Sequence, residues 1–262
     1  MRTSDKEIQE RVENILKYIG ENNDTSIDDI ANYFSVSTMT IRRNLRDLQD
    51  EDIIDIKNGV VLLKEKYQAK WTRLKTNDQR ENIQRTAAEM VEANDVIYIN
   101  TGFTVAGIVQ YIKNKPCTII TNNINIYNIE RDSNIKVIFT GGELHQNRSS
   151  MVGEQAIKFL RYNRANKAFI GCSSINLDDS RITGGGLYGS DISEASITQE
   201  MIENCSGKVI LCATSDKFST NAPFYIDTLS SVDTIVTDGK VNILSFYELR
   251  DNMKKNMIIA NK

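Results

Sequence analysis

Residues 35–63 read SVSTMTIRRNLRDLQDEDIIDIKNGVVLL. Ile41, Leu45 and Leu48 share one face of a helix that Ser37 can cap. At about 100° per residue, Met39, Arg43 and Arg46 fall on the opposite side, with Arg42 on the flank. A helix–turn–helix module needs this arrangement, with one face packed on partner helices and the other in the DNA major groove. Ser37, Thr38 and Thr40 can reach phosphates or base edges from the start of the helix. The arginine fork pairs with phosphate oxygens or with guanine O6 and N7. Asn58-Gly59 then joins IIDI to VVLL, a hairpin signal, and Lys57 beside the turn can touch the DNA backbone as part of a wing.

Upstream, Ile8, Val12, Ile15, Leu16 and Ile19 keep helical spacing. Ser26 can cap a second helix, with Asp28 and Asp29 favourably placed in its first turn. Three helices followed by a hairpin make an α+β winged helix–turn–helix domain over residues 1–63. Across residues 1–70 acids slightly outnumber bases. Non-specific electrostatic attraction to DNA is therefore weak, and base readout carries more of the binding.

Residues 64–75 are polar and form a linker in this reading. A helix follows, and from there the texture changes. VIYIN, CTIIT, KVIFTGG, KAFIGC, KVILCAT and DTIVTD are short apolar runs, several of them separated by helical segments. That alternation predicts an α/β domain over residues 76–262 with a parallel or mixed sheet. In such sheets ligands bind beyond the C-terminal ends of the strands. The loops there nominate Asn100, Thr101, Gly102, Phe103 and Thr104; Thr121, Asn122 and Asn123; Gly141, Gly142, His145 and Arg148; and Lys217. The glycine-rich RITGGGLYG, with Gly184, Gly185 and Gly186, reads as a mobile loop able to close over a ligand. Glu194 is a nearby carboxylate. Helix-start N–H groups after Gly102, with Lys217 and Arg148, favour an anion, and a phosphorylated sugar or polyol leads.

The net charge of −3 carries no global positive field, so any nucleic-acid function needs a local patch. The four cysteines form no CxxC pair and read as thiols in a reducing cytosol. The N-terminus is polar, and no apolar run approaches the ~20 residues that span a bilayer. A cytoplasmic protein without cofactor or metal is expected.

STMTIRRNLRDL, VIFTGGELHQNRSSMVGEQA, KAFIGCSSI, GGGLYGSDISEASITQEMI and SDKFS occur in that order. With this spacing the chain, from about Ile8 to Asp238, resembles the DeoR family of bacterial transcriptional regulators. The resemblance implies a winged helix–turn–helix joined to a sensor related in fold to sugar-phosphate isomerases. It also implies repression of a carbohydrate or nucleoside operon, release by a phosphorylated metabolite, and a homo-oligomer. Several positions depart from the family pattern. Asn100 replaces an acid, Phe103 a small hydroxyl residue, Thr198 a lysine and Thr214 another acid, and His145 stands where a basic residue is common. An anionic ligand with altered hydroxyl recognition is the expected consequence. Two further readings stand beside this one: a ligand-independent DNA-binding oligomer and an isomerase-like enzyme. The second lacks two acids at Asn100 and Thr214, and the chain shows no Walker loop, nucleophile elbow or metal-spaced His/Cys set.

Overall fold

The computed structural model describes residues 11–12, 14–16, 18–19, 25–50, 52–64, 78–145, 148–177, 185–241, 249 and 256–260. Its contacts divide the chain into Met1–Asn77 and Asp78–Lys262. The sequence-based linker, 64–75, lies outside the described residues except for Lys64.

The first unit contains helix α1 (within 11–19), β1 (Thr25–Ser26), α2 (Ile27–Tyr33), α3 (Thr38–Asp50), β2 (Ile54–Lys57) and β3 (Val60–Leu63). Ser26 starts α2 through a reciprocal cap. Its Oγ accepts from Asp29 N at 3.0 Å, and the Asp29 carboxylate accepts from Ser26 N at 3.3 Å. Ser37 does the same work for α3, accepting from Thr40 N at 3.2 Å. Ile41, Leu45 and Leu48 are buried with Ile15, Ile30, Ile54 and Val61, so the apolar face read from the sequence is the packed face. Asn58 (φ 52°) and Gly59 (φ 81°) both adopt positive φ, as a two-residue hairpin turn requires. The wing has a third strand that the sequence did not reveal. β1 pairs with β3, giving the order β1-β3-β2.

The second unit includes helix α4, described over 78–89. A seven-stranded sheet follows, with β4 (Val96–Ile99), β5 (Cys117–Thr121), β6 (Ile135–Phe139), β9 (Ala165–Ile170), β12 (Cys205–Cys212), β14 (Thr234–Asp238) and β15 (Asn256–Ala260). The order is β15-β14-β12-β9-β4-β5-β6, and every neighbouring pair is parallel. All six strand-like runs of the sequence are in it. The connecting elements include α5 (Phe103–Ala106), α6 (Glu154–Tyr162) and α7 (Ile192–Glu203). Two small antiparallel additions are a hairpin of β7 (Glu143–His145) and β8 (Ser150–Val152), and a sheet of β10 (Ser174–Asn176), β11 (Gly186–Gly189) and β13 (Phe224–Thr228).

Both faces of the parallel sheet are buried, which explains why its strands read as continuous apolar runs rather than alternating ones. Ile97, Ile99, Phe169 and Ile210 pack towards Ile83, Ala87, Val91, Val105 and Ile108. Tyr98, Ala168, Ile170 and Leu211 pack in a second cluster with α6 and α7 residues such as Leu160, Ala195 and Met201.

A buried ion pair locks the end of α4 to the N-terminal ends of the strands. Lys167 Nζ lies 2.9 Å from Asp95 Oδ2 and donates to Met90 O at 3.0 Å. Glu92 N and Asn166 Nδ2 donate to the same carboxylate. Burial pushes the Asp95 carboxyl up, but Lys167 and these donors outweigh it and hold it below the usual range. Removing one partner of such a pair costs about 3–5 kcal/mol. Asp95→Ala should lose about that much in urea unfolding at pH 7. The folded carboxyl titrates below the unfolded one, so its contribution is complete above about pH 4 and fades as pH falls through the folded value. The gap between wild type and Asp95→Ala should therefore narrow below pH 4. An unchanged gap would show that the pair contributes nothing through its charge.

Candidate functional site

On the first unit, α3 presents Ser37, Thr38, Met39, Arg42, Arg43 and Arg46 to solvent, with Thr40 half-buried. Met39 is 80% exposed. Among the described residues none of the three arginines has an ion-pair partner, so their donors are available to an incoming polyanion. Lys57 is exposed at the wing and lies 3.3 Å from Asp55, an exposed pair of little energetic weight.

On the second unit, the chain order runs from β4 through β5 to β6 on one side. It returns through β9, β12, β14 and β15 on the other. The winding reverses between β4 and β9, and a crevice forms where crossovers leave in opposite directions. A cavity of about 460 Å³ sits there, walled by residues that follow β4 (Asn100–Val105), β9 (Gly171–Ser173) and β12 (Ala213, Thr214). Of the residues nominated from sequence, Asn100, Thr101, Gly102, Phe103, Thr104, Arg148, Glu194 and Lys217 line it.

Asn100 is a brace. Its Nδ2 donates to Gly171 O and to Thr198 Oγ1, both at 2.9 Å, and its Oδ1 accepts from Gly171 N at 2.9 Å. Thr198 in turn donates to Glu194 O at 2.9 Å, so its proton is already used. The amide thus ties β4, β9 and α7 together at the cavity floor and serves as donor and acceptor at once. Glu194 accepts from Ser150 Oγ at 2.8 Å and lies 3.5 Å from Arg148. Arg148 also donates to Ser190 Oγ at 3.0 Å. Lys217 lies in a 3-10 turn (Ser215–Phe218) and lies 2.8 Å from Asp216. Burial pushes Asp216 up, yet Lys217 and the Thr214 hydroxyl hold its carboxyl below the usual range. The Thr101 hydroxyl is buried and has no hydrogen-bond partner among the described residues. Desolvation raises the Cys172 thiol to about 12, so it is protonated at neutral pH and is no nucleophile.

Other nominated residues lie off the cavity wall. Thr121 donates to Ile99 O at 2.7 Å, Asn122 to Met151 O at 3.2 Å and Asn123 to Gly102 O at 3.4 Å. They support the cavity loops from behind. Gly141 and Gly142 turn the chain at positive φ, and a Cβ on Gly142 would come within 2.4 Å of Val152 O. His145 lies 3.2 Å from Asp191, whose other oxygen caps α7 by accepting from Ser193 N and Glu194 N at 3.0 Å. The glycine-rich stretch is not a free loop where it is described. Gly185 O accepts from Leu229 N at 3.0 Å, and Gly186 opens β11, paired with β10 and β13. Gly184 lies outside the described residues. The expected helix start after Gly102 also differs. α5 is four residues long and continues as a 3-10 helix (Gly107–Tyr111), too short to present a sizeable dipole.

Sequence reasoning missed Arg80, which lines the cavity from α4. A signal was there. Arg80, Ile83, Gln84, Ala87 and Val91 fall on one stripe of the helix, so an arginine and a glutamine share its inward face.

The DeoR-like helix-turn-helix domain model matches residues 11–66, and the DeoR C terminal sensor domain model matches residues 75–239. The chain belongs to the DeoR family. This DeoR chain is therefore a DNA-binding transcriptional regulator, a DNA-reading module joined to a sensor, rather than an enzyme. The glycerol-3-phosphate regulon repressor of Escherichia coli K12 is 27% identical to it over 248 residues, covering 93% of this chain and 96% of that one. An uncharacterized HTH-type transcriptional regulator of Haemophilus influenzae is 31% identical over 236 residues, 87% and 89% of the two chains. Ribose 5-phosphate isomerase A of Methanocaldococcus jannaschii aligns with 54% of this DeoR chain and 54% of its own, at TM-score 0.39 and 13% identity. That likeness is too loose to carry an argument about ligand or chemistry. No helix among the described residues is long and apolar enough to cross a membrane.

The Asn100 brace predicts intolerance of an acid there. Asn100→Asp would place a carboxylate oxygen against Gly171 O and against a hydroxyl whose proton is committed. A buried polar group left so costs about 1–3 kcal/mol. Urea unfolding of the variant should show a loss of that size. Wild-type stability at neutral pH would rule the bracing role out.

Proposed function

We propose that this chain binds an operator through α3 as a repressor, and that an anionic, phosphorylated sugar or polyol in the cavity sets its affinity for DNA. The observation that carries the ligand class is charge. Arg80, Arg148 and Lys217 line the cavity with Glu194, and Asp191 and Asp216 stand by Arg148 and Lys217, which leaves the Arg80 charge unbalanced among the described residues. In a partly desolvated crevice that imbalance favours a bound anion. The name of the E. coli relative, a glycerol-3-phosphate regulon repressor, fits the same class. The neutral Asn100, fully engaged in the wall, is not available to a sugar hydroxyl, so recognition of hydroxyls falls on other lining groups such as Thr104 and Ser173. Operator binding places the protein with the chromosome, in the cytoplasm.

A single recognition helix reads only a few base pairs, so two or more modules are needed for a unique site. The full chain should therefore sediment as a dimer or larger species at micromolar concentration. A monomer would exclude a two-headed reader.

Each bidentate base contact is worth about 1–3 kcal/mol. An Arg43→Ala, Arg46→Ala double variant should lose at least one to two decades of operator affinity in gel shifts at fixed salt, with an unchanged melting temperature. Undiminished operator affinity would remove α3 from the interface. Lys217→Ala should leave operator affinity intact without ligand. At ligand concentrations that saturate the wild type, it should lose the ligand's effect on DNA binding. A full response there would remove Lys217 from the ligand site.

A further inference from the structure

The three cations of the cavity wall are not equivalent. Arg148 is engaged by Ser190 and lies near Glu194 and Asp191, and Lys217 lies against Asp216. Arg80 makes no hydrogen bond or ion pair among the described residues. It stands near the start of the described part of α4, and its charge is half-buried in the cavity wall. It is therefore the lining cation with the most to gain from an anion.

Its position in the chain gives that gain a direction. Residue 80 lies three positions beyond Asn77, where the first unit ends. Beyond Arg80, α4 is anchored. Gln84 Nε2 donates to Phe103 O at 3.3 Å and Gln84 Oε1 accepts from Gln110 Nε2 at 3.3 Å. The Arg85 guanidinium sits 4.2 Å from the centre of the Tyr111 ring, and Ile83 and Ala87 are fully buried. Gly107 makes room for the Gln84 side chain, which a Cβ there would meet at 2.1 Å. The body of the helix is thus fastened to the element that leads out of the cavity loop. Arg80, ahead of these anchors, carries the unpaired charge.

We propose that Arg80 couples the cavity to the DNA-binding unit: its guanidinium clamps the anionic group of the ligand, and the clamp sets the conformation of the chain that joins α4 to that unit. This rests on the reading of the cavity as an anion sensor. Arg148 and Lys217 contribute affinity, because their neighbours hold them in place with or without ligand. Arg80 contributes both affinity and coupling, because its interactions differ between the empty and the filled cavity. A ligand shifts an equilibrium only by such a difference. By linkage, DNA binding changes the affinity for the anion by the same factor through the same residue.

The test uses the full chain, duplex DNA selected by the wild-type protein from a random pool, and glycerol 3-phosphate as probe, with inorganic phosphate as the minimal anion. Potassium chloride at matched ionic strength is the control. Binding is read by calorimetry, operator affinity by gel shift, and the chain entering α4 by the emission of Trp71, the single tryptophan. Wild type should bind the probe, change its Trp71 emission and shift its operator affinity at least fivefold. Arg80→Gln should bind the probe at least tenfold more weakly. At concentrations that saturate this weaker site, neither Trp71 emission nor operator affinity should move, while operator affinity without ligand stays within twofold of wild type. Lys217→Ala, raised to its own saturation, should respond again. Arg80→Lys, which keeps the charge, should recover part of the response and guards against a folding defect in Arg80→Gln. A saturated Arg80→Gln that shifts operator affinity as far as wild type overturns the proposal. A wild type that binds neither anion overturns the anion-sensor reading itself, and the coupling with it.

Discussion

A parallel sheet whose winding reverses between two adjacent strands leaves a gap that no crossover covers. Here the reversal falls between β4 and β9, and the second unit is arranged around it. The strands are parallel, so their C-terminal ends, and the loops that leave them, all face one rim. Both faces of the sheet are covered, so the rim is where polar groups can gather without being buried by helices. The cavity follows from topology, and its chemistry from the residues that stand at four or five loop starts.

Those residues divide into holders and receivers. Asn100, Thr198, Asn123 and Asp191 spend their hydrogen bonds on backbone and on one another, and fix the walls. Arg80 and the Thr101 hydroxyl are unspent among the described residues. A site built this way keeps its shape without a ligand and loses little freedom when one arrives. The carboxylates near the cavity also hold the walls: Asp191 caps a helix, Asp216 faces Lys217, and Glu194 is held by Ser150 and Arg148.

The reading helix was legible because two signals agreed: the spacing of Ile41, Leu45 and Leu48, and the arginines opposite them. The parallel sheet was legible because strands buried on both faces have no polar alternation to obscure them. The failures share a cause. β1 is two residues long and β15 lies far along the chain, so neither carries a local pattern that reveals its partner. Glycines mark turns without saying whether the turn is free or pinned, which is why Gly185 and Gly186 were misjudged. Thr121, Asn122 and Asn123 follow a strand as a ligand loop does, but their side chains turn back to backbone carbonyls. Arg80 carries no loop signal, because it stands on a helix.

The wing adds one more consequence. Ile27 N donates to Gly59 O at 3.0 Å, so the hairpin tip is fastened to the first residue of α2, which packs on α3. In the proposed interface, helix and wing tip therefore approach DNA as one preformed tool. With acids outnumbering bases across residues 1–70, non-specific attraction is weak and a poor match has little to delay its departure. Discrimination then appears in the lifetime of the complex more than in the rate at which it forms.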